Sequence, residues 1–376
     1  MPKILLIAIL LSLAGLLGSV EFTLDGEART RAVMYYADAS AEAGSHIDSK
    51  LWLGTNLSVN PDLKLRLNLQ LGDVVWGATT GTQAGGAISA GIPISAYELY
   101  VDYRIRALGS NIRIGQQYWA DHRSLMLDDS FSGVTFSTDD VLGMQSTLGW
   151  IKQVEGDRYL AGDDISSFLL SLQDKAWGVQ AFYTVNEADS SNASQDIVTA
   201  LPFLAWDLAP LNIDLTGILQ YSSSPTSSDL DHGAAARISA KFEPVEIGLD
   251  ALYYANEAPA LNYSLSQYYL NKLYIFGIGQ HFDGWVGWDP VNWYWGQSSA
   301  QDMYLAAVGY TKVALAKSLD LYAAGGLIHK TGWEANGGLE WNLDNFQLAA
   351  YGAYGQHDGH TQASYLIGTT LKAWFY

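Results

Sequence analysis

The sequence contains no cysteine, so no disulfide framework holds the chain together, and its stability must come from hydrogen-bond ladders and burial. Basic residues are scarce: 20 Lys and Arg stand against 39 Asp and Glu, a formal charge of −19. That balance excludes the basic footprint that nucleic-acid binding needs. After the N-terminus no apolar run reaches the roughly 18 residues that a spanning helix requires, so any insertion into a bilayer has to use strands. The seven histidines are scattered and form no Ser-His or Asp-His constellation. No hydrolase site is therefore expected, and no cofactor or metal.

What is present begins with a leader. Lys3 precedes an apolar run over residues 4–17 broken only by Ser12, and Gly18 and Ser19 follow. A charged start, an apolar stretch and a small-residue exit read as a secretory signal, with the mature chain starting near Val20 or Glu21. An uncleaved anchor is the alternative, because no clean Ala-x-Ala site is present. Residues 1–20 are thus assigned to the signal and 21–376 to a single domain.

That domain alternates. In LKLRLNLQLG, residues 63–72, Leu63, Leu65, Leu67, Leu69 and Leu71 take every second position, with Lys64, Arg66, Asn68 and Gln70 between them. Successive side chains of a strand point to opposite faces, so the segment has one apolar and one polar face. Similar segments recur to the C-terminus and give about 18 strands of roughly ten residues, a length that crosses a bilayer at a tilt. The count falls to 16 if the weak segments 131–137 and 163–172 are not strands. The connections alternate long and short, beginning with a polar loop at 37–48 and a tight NPD turn at 60–62. A transmembrane antiparallel β-barrel with short periplasmic turns and long outer loops produces this pattern, whereas a soluble sandwich does not sort its loops by parity. The leucine row then faces lipid. Tyr35 and Tyr36, Tyr118 and Trp119, Tyr253 and Tyr254, and Trp374 lie near strand ends, as interfacial girdles require. The last strand has an apolar face in register with Phe375 and leaves Tyr376 over, a form of C-terminal signal for the barrel-assembly machinery.

If the apolar parity faces outwards, the other parity lines the lumen. The first five strands contribute Arg29, Arg31, Lys50, Lys64, Arg66, Arg104, Arg106 and Arg113, offset by Asp25, Glu27, Glu98 and Asp102. Later strands contribute mainly acids, Asp214, Glu246, Asp250, Asp320, Glu334 and Glu340, with Arg237 and Lys241 as exceptions. Two readings are open: a basic wall opposing an acidic one, whose transverse field favours polar or zwitterionic solutes, or charges that pair with neighbours and hold a polar lumen in shape. The loop of about 45 residues at 256–300 is rich in tryptophan and glycine. So aromatic a segment suits folding into the lumen, where it narrows the pore and offers stacking faces to sugar rings, or else self-packing as an outer lid. The pairs Asp128/Asp129, Asp139/Asp140 and Asp163/Asp164 read as solvated turns, as does the His357-x-x-His360 stretch.

Residues 111–136, NIRIGQQYWADHRSLMLDDSFSGVTF, resemble the signature of the alginate export porin family, in which a strand with Arg, Gly and Gln leads through an Asp-x-Arg-x-Leu loop into a second strand. Arg113, Gly115, Gln117, Asp121, Arg123, Leu125, Phe131, Gly133 and Val134 carry the match. The opening Gly26-to-Asp38 stretch is similar to the family's first strand, and QHFDGWVGWD, with His281, Gly284 and Asp289, to a late segment. The resemblance implies an 18-stranded outer-membrane barrel and a monomer; the pore-narrowing residues expected from the aromatic loop are His281, Trp285, Trp288 and Asp289. Gln116 stands where the family has Arg and Ser132 where it has Asp, so the architecture carries over and the polyuronate substrate does not. The expected function is a passive channel for small polar or charged solutes, saccharides or uronates among them, embedded among outer-membrane lipid and lipopolysaccharide. The alternative is a structural or adhesive barrel with a plugged lumen.

Overall fold

The computed structural model of the protein describes residues 20–37, 42–77, 84–85, 92–141, 143–154, 164–187, 195–225, 227–255, 272–275, 303–330, 332–359 and 361–376. Its strands are β1 (Glu21–Ala37), β2 (Glu42–Asn60), β3 (Leu63–Trp76), the two-residue β4 (Ala84–Gly85), β5 (Ile94–Ile105) and β6 (Ser110–Ala120). The chain continues with β7 (Asp128–Val141), β8 (Met144–Val154), β9 (Ile165–Gln173), β10 (Trp177–Asn186), β11 (Gln195–Leu208), β12 (Leu211–Ser223) and β13 (Ser228–Phe242). It ends with β14 (Val245–Ala255), β15 (Met303–Ala316), β16 (Leu319–Ile328), β17 (Gly332–Leu343), β18 (Phe346–His357) and β19 (Ser364–Phe375).

Each strand pairs antiparallel with the next, except that β3 passes over β4, which only touches its end in parallel, and pairs with β5. The first strand closes on the last, from Gly26 opposite Phe375 to Tyr36 opposite Tyr365. The wall is therefore an 18-stranded closed antiparallel barrel. Closure leaves no unpaired edge, the condition for a sheet to stand in lipid. The segment 131–137 falls on β7, and residues 165–172 of the other weak segment fall on β9.

The leucine row of β3 shares its face with Leu99, Val101 and Tyr103 of β5, all exposed on the outside of the barrel. The belt continues round the ring through Leu148, Leu215, Leu249, Leu321, Leu339 and Leu371. So extensive an apolar surface is lipid-facing. Aromatics border it at both ends. Tyr36 stacks on Tyr365 and Phe168 on Tyr183 near the long-loop end, with Trp333 beside Tyr354.

Alternation also corrects the aromatic assignment. Tyr36, Tyr118 and Tyr253 point out, but their neighbours Trp119 and Tyr254 point in. Trp119 meets Phe182, and Tyr254 is buried. Trp374 faces the lumen and donates to Glu27 at 2.8 Å. Adjacent residues of a strand cannot both join a girdle.

Several strands outrun the expected length. The ladder between β1 and β2 extends to Ala37 opposite Glu42, so most of the polar stretch 37–48 is strand. Asp128, Asp129, Asp139 and Asp140 are ends of β7 rather than turns, and Tyr118 hydrogen-bonds Asp128. His357 closes β18 and is buried, not solvated. Beyond the bilayer polar residues cost nothing in a strand, because ladder bonds remain satisfied. Asp163 and His360 lie outside the described residues.

Glycines let lumen tyrosines lie flat against the wall. A Cβ on Gly248 would sit 2.3 Å from the Tyr310 ring, on Gly338 2.6 Å from the Tyr322 hydroxyl, and on Gly368 2.5 Å from the Tyr351 ring.

Candidate constriction of the lumen

Two segments turn inwards from the long-loop end. The first, 121–127, joins β6 to β7. Asp121 Oδ1 accepts from the backbone N–H of Arg123 at 3.1 Å and Leu125 at 2.9 Å, and Oδ2 from Met126 at 2.6 Å and Leu127 at 2.8 Å. One carboxylate thus satisfies four donors that an inward loop leaves without ladder partners. Burial pushes the Asp121 carboxyl up from its ordinary value, and these donors pull it back. Leu125 and Met126 pack on Phe131, Ile151, Leu169, Phe182, Leu201, Ile218 and Leu252, so the loop is seated on the inner faces of β7 to β14.

His122 and Arg123 form the tip. The His122 backbone N–H donates to Gln180 at 2.7 Å, and its ring stacks on Phe203 with centroids 3.7 Å apart. Its Nε2 is 2.8 Å from Asp214. Arg123 is 1% exposed and donates from Nη2 to Asp250 at 3.2 Å, with Nη1 3.5 Å from Asp214. Asp250 lies on β14, seven strands beyond β7 in the ring, so this arginine reaches across the lumen.

The second segment is 272–275. Glu334, buried on β17, accepts from the backbone N–H groups of Tyr274 at 2.6 Å and Ile275 at 2.8 Å, while Asn336 donates to the Lys272 carbonyl at 2.8 Å. Tyr274 bonds the Tyr322 hydroxyl at 2.5 Å and stacks on Tyr351 at 4.9 Å. Leu273, Tyr274 and Ile275 complete a cluster with Val33, Val308, Ile328, Ala353 and Leu366. This covers inner faces of β15, β16, β18, β19 and β1.

Both segments meet at Asp250. Its carboxylate takes Arg123, then Arg237 of β13 at 2.8 and 3.0 Å, and has the Lys272 ammonium at 3.8 Å. Lys272 also stands over the Tyr310 ring at 4.3 Å. Burial pushes the Lys272 ammonium down from its ordinary value, against the pull of Asp250, and Arg237 adds to the depression. Beneath the segment lies a cavity of about 130 Å³ lined by Lys272, Tyr274, Tyr310, Lys312, Tyr322 and Asn336 among others.

The remaining lumen charges pair locally. Arg29 and Arg31 both bind Asp48, at 3.3 and 2.6 Å. Arg66 grips Asp25 at 2.7 Å and Glu98 at 3.3 Å, and Arg113 binds Asp102 at 3.0 Å while lying over the Tyr100 ring. Lys312 lies 3.1 Å from both Asp320 and Glu340. Neighbour pairing, rather than opposition of a basic and an acidic wall, describes these groups. Lys64 and Arg104 are exposed and make no ion pair among the described residues. Arg106 is not on the wall at all: β5 ends at Ile105, and Arg106 opens a 3₁₀ turn, 67% exposed and bound to Asp62 at 2.6 Å. Counting parity along a segment cannot reveal where the strand stops.

Of the residues singled out from the sequence, Arg123 and Asp250 come together, and Arg66 with Glu98 and Arg113 with Asp102 form separate pairs. His281, Trp285, Trp288 and Asp289 lie outside the described residues. Sequence reading missed His122, Gln180, Phe203 and Lys272, none of which has a local pattern that marks it. Gly115 was found through its motif, and its φ of +127° with Leu99 O 2.3 Å from a Cβ position explains why glycine stands there.

No protein-family model and no curated protein sequence matches the chain. Solved structures do. OccK8 (OprE) of Pseudomonas aeruginosa superposes with a TM-score of 0.61 at 9% identity, over 94% of this chain and 98% of that one. A BenF-like porin from Pseudomonas fluorescens Pf-5 gives 0.58 at 9% identity, over 94% and 98%. The outer membrane protein OpdK of Pseudomonas aeruginosa also gives 0.58 at 9%, over 94% and 99%. At such identities the likeness is one of architecture: the chain has the outer-membrane porin fold.

Proposed function

We propose that the protein is an outer-membrane channel for passive diffusion of small polar solutes, and that the 121–127 and 272–275 segments form its eyelet. The observation that carries this reading is their convergence on Asp250 inside a closed barrel with charged residues inside and apolar ones outside. A structural barrel needs no arginine held across its lumen. Internal loops that narrow a water-filled bore, leaving fixed polar groups beside the path, are what selective diffusion requires. The chain is read as carrying a signal peptide at 1–20, as inserting through its C-terminal strand, as a monomer among lipopolysaccharide, and as having no enzymatic activity or cofactor.

The solute is a small molecule rather than a polymer. OpdK has been solved with vanillate, which supports small organic solutes as one class to test. The stretch 111–136 that resembles the alginate export porin signature contains the inward loop, with Asp121 and Arg123 as the residues that build it here. Planar-bilayer recording of the refolded mature chain tests the proposal. A reproducible single-channel step in KCl is expected. Folded protein that gives no step would favour the plugged barrel, whose support is the pair of apolar clusters seated on most of the inner wall.

A further inference from the structure

The two apolar clusters leave one part of the inner wall free. None of their residues lies on β2, β3 or β5. There Arg66, Tyr100 and Arg113 stand side by side: Tyr100 is in register with Arg66 on one side and Gly115 on the other, and the Arg113 guanidinium lies 4.3 Å from its ring centroid. Gly54 makes room for the row, since a Cβ there would be 2.6 Å from Arg66 Nη2. The result is a guanidinium stacked over a phenol ring, with a second guanidinium on the neighbouring strand.

The hydrogen bonds of this cluster leave a specific remainder. Arg66 spends Nε on Glu98 Oε2 and both terminal nitrogens on Asp25. Arg113 spends Nε and Nη2 on a single oxygen, Asp102 Oδ2. Among the described residues Glu98 Oε1 and Asp102 Oδ1 accept nothing, and Arg113 Nη1 and the Tyr100 hydroxyl have no partner. Carboxylate oxygens that are free to accept favour hydroxyl donors and repel a second carboxylate, while the guanidinium and phenol supply complementary donors. A guanidinium–phenol stack flanked by acceptors and donors fits a ring with hydroxyls on its edge and an apolar face.

We infer that the Arg66–Tyr100–Arg113 cluster, with Glu98 and Asp102, is a subsite for a neutral polyhydroxylated ring of saccharide type. This rests on the channel reading for its biological sense but not for its test. Lys64 and Arg104, nearer the short-turn end, are exposed cations that draw anions to the mouth, so an anionic sugar is the sharpest comparison.

The experiment is saturation-transfer NMR on the full mature chain in detergent micelles, with glucose, glucuronate and glucosamine as probes that share one ring and differ in charge. Glucose is expected to bind saturably and more tightly than glucuronate. Tyr100→Ala should weaken glucose about 5- to 10-fold, the scale of one stacking contact, and Tyr100→Phe should retain most of the affinity. Glu98→Gln should narrow the gap between glucose and glucuronate. Glucuronate binding tighter than glucose, binding of glucosamine alone, or glucose binding indifferent to Tyr100→Ala in a variant that keeps the folded form on unheated gels would overturn the inference. KCl conductance is recorded in parallel, and its absence counts against the channel reading alone.

Discussion

Arg123 and Asp250, 127 positions apart in sequence, meet at 3.2 Å with side chains 1% and 3% exposed. The contact ties the loop between β6 and β7 to the opposite wall, and the same carboxylate holds Arg237 and faces Lys272. Removing one partner of a buried ion pair leaves the other uncompensated, at a cost of about 3–5 kcal/mol. Asp250→Asn strands three cations together. Both inward segments should loosen while the ladder of the barrel stays intact, so single-channel conductance should rise and become noisier with little change in strand content by circular dichroism. An unchanged conductance would mean that the eyelet is held by its apolar contacts.

Asp121 is the second point of weakness. Its carboxylate is the acceptor for four backbone donors, and each buried donor left unsatisfied costs roughly 1–3 kcal/mol. Asp121→Ala should therefore unseat the loop more thoroughly than Arg123→Ala, which removes only the tip contact. Hydrogen exchange at the amides of Arg123, Leu125, Met126 and Leu127 reads this directly. All four should lose protection in Asp121→Ala, and protection that survived would show the loop to be set by Leu125 and Met126.

Lys272 sets a pH dependence. Burial depresses its pKa below the ordinary value of 10.5, so the docked segment binds the proton less tightly than the released one. The penalty is fully present below the depressed value and is relieved as pH rises from there towards 10.5. Docking of 272–275 should strengthen over that window. Open-state current noise should fall as pH rises towards 10.5. Lys272→Met, which keeps the stem, should abolish the trend.

These three sites were unequally visible in the sequence. Period-2 alternation revealed the wall, because a strand's faces are fixed by parity and LKLRLNLQLG can be read in only one way. Ion-pair partners were hidden, since they depend on the stagger between strands. Nothing near Arg66 says that it will reach Asp25 on β1 rather than Asp102 beside Lys64. The inward loop was visible only as the motif around Asp121, whose acceptor role is local, while its target, Asp250, lies on a strand read as plain wall. Arg106 was misplaced because its parity is right but its strand has ended.

The orientation of the wall can be tested at adjacent positions of one strand. Leu67 pairs with Leu99 and Thr55 on the outer face, and Asn68 with Glu98 and Gly54 on the inner one. A cation on the lipid face costs about 2–4 kcal/mol near the bilayer midplane, whereas one facing the lumen keeps its water. Leu67→Lys should accordingly lower the urea midpoint of reversible unfolding from vesicles, while Asn68→Lys, set beside Glu98 with its free Oε1, should leave it nearly unchanged. The contrast does not depend on the polarity of lysine as such, because both variants carry the same side chain one residue apart. If Asn68→Lys proved the costlier of the two, the leucines would be packed inside and the charged parity would lie outside. Equal costs would mean that neither face of β3 meets lipid, and the belt formed by Leu99, Val101 and Tyr103 would need another partner.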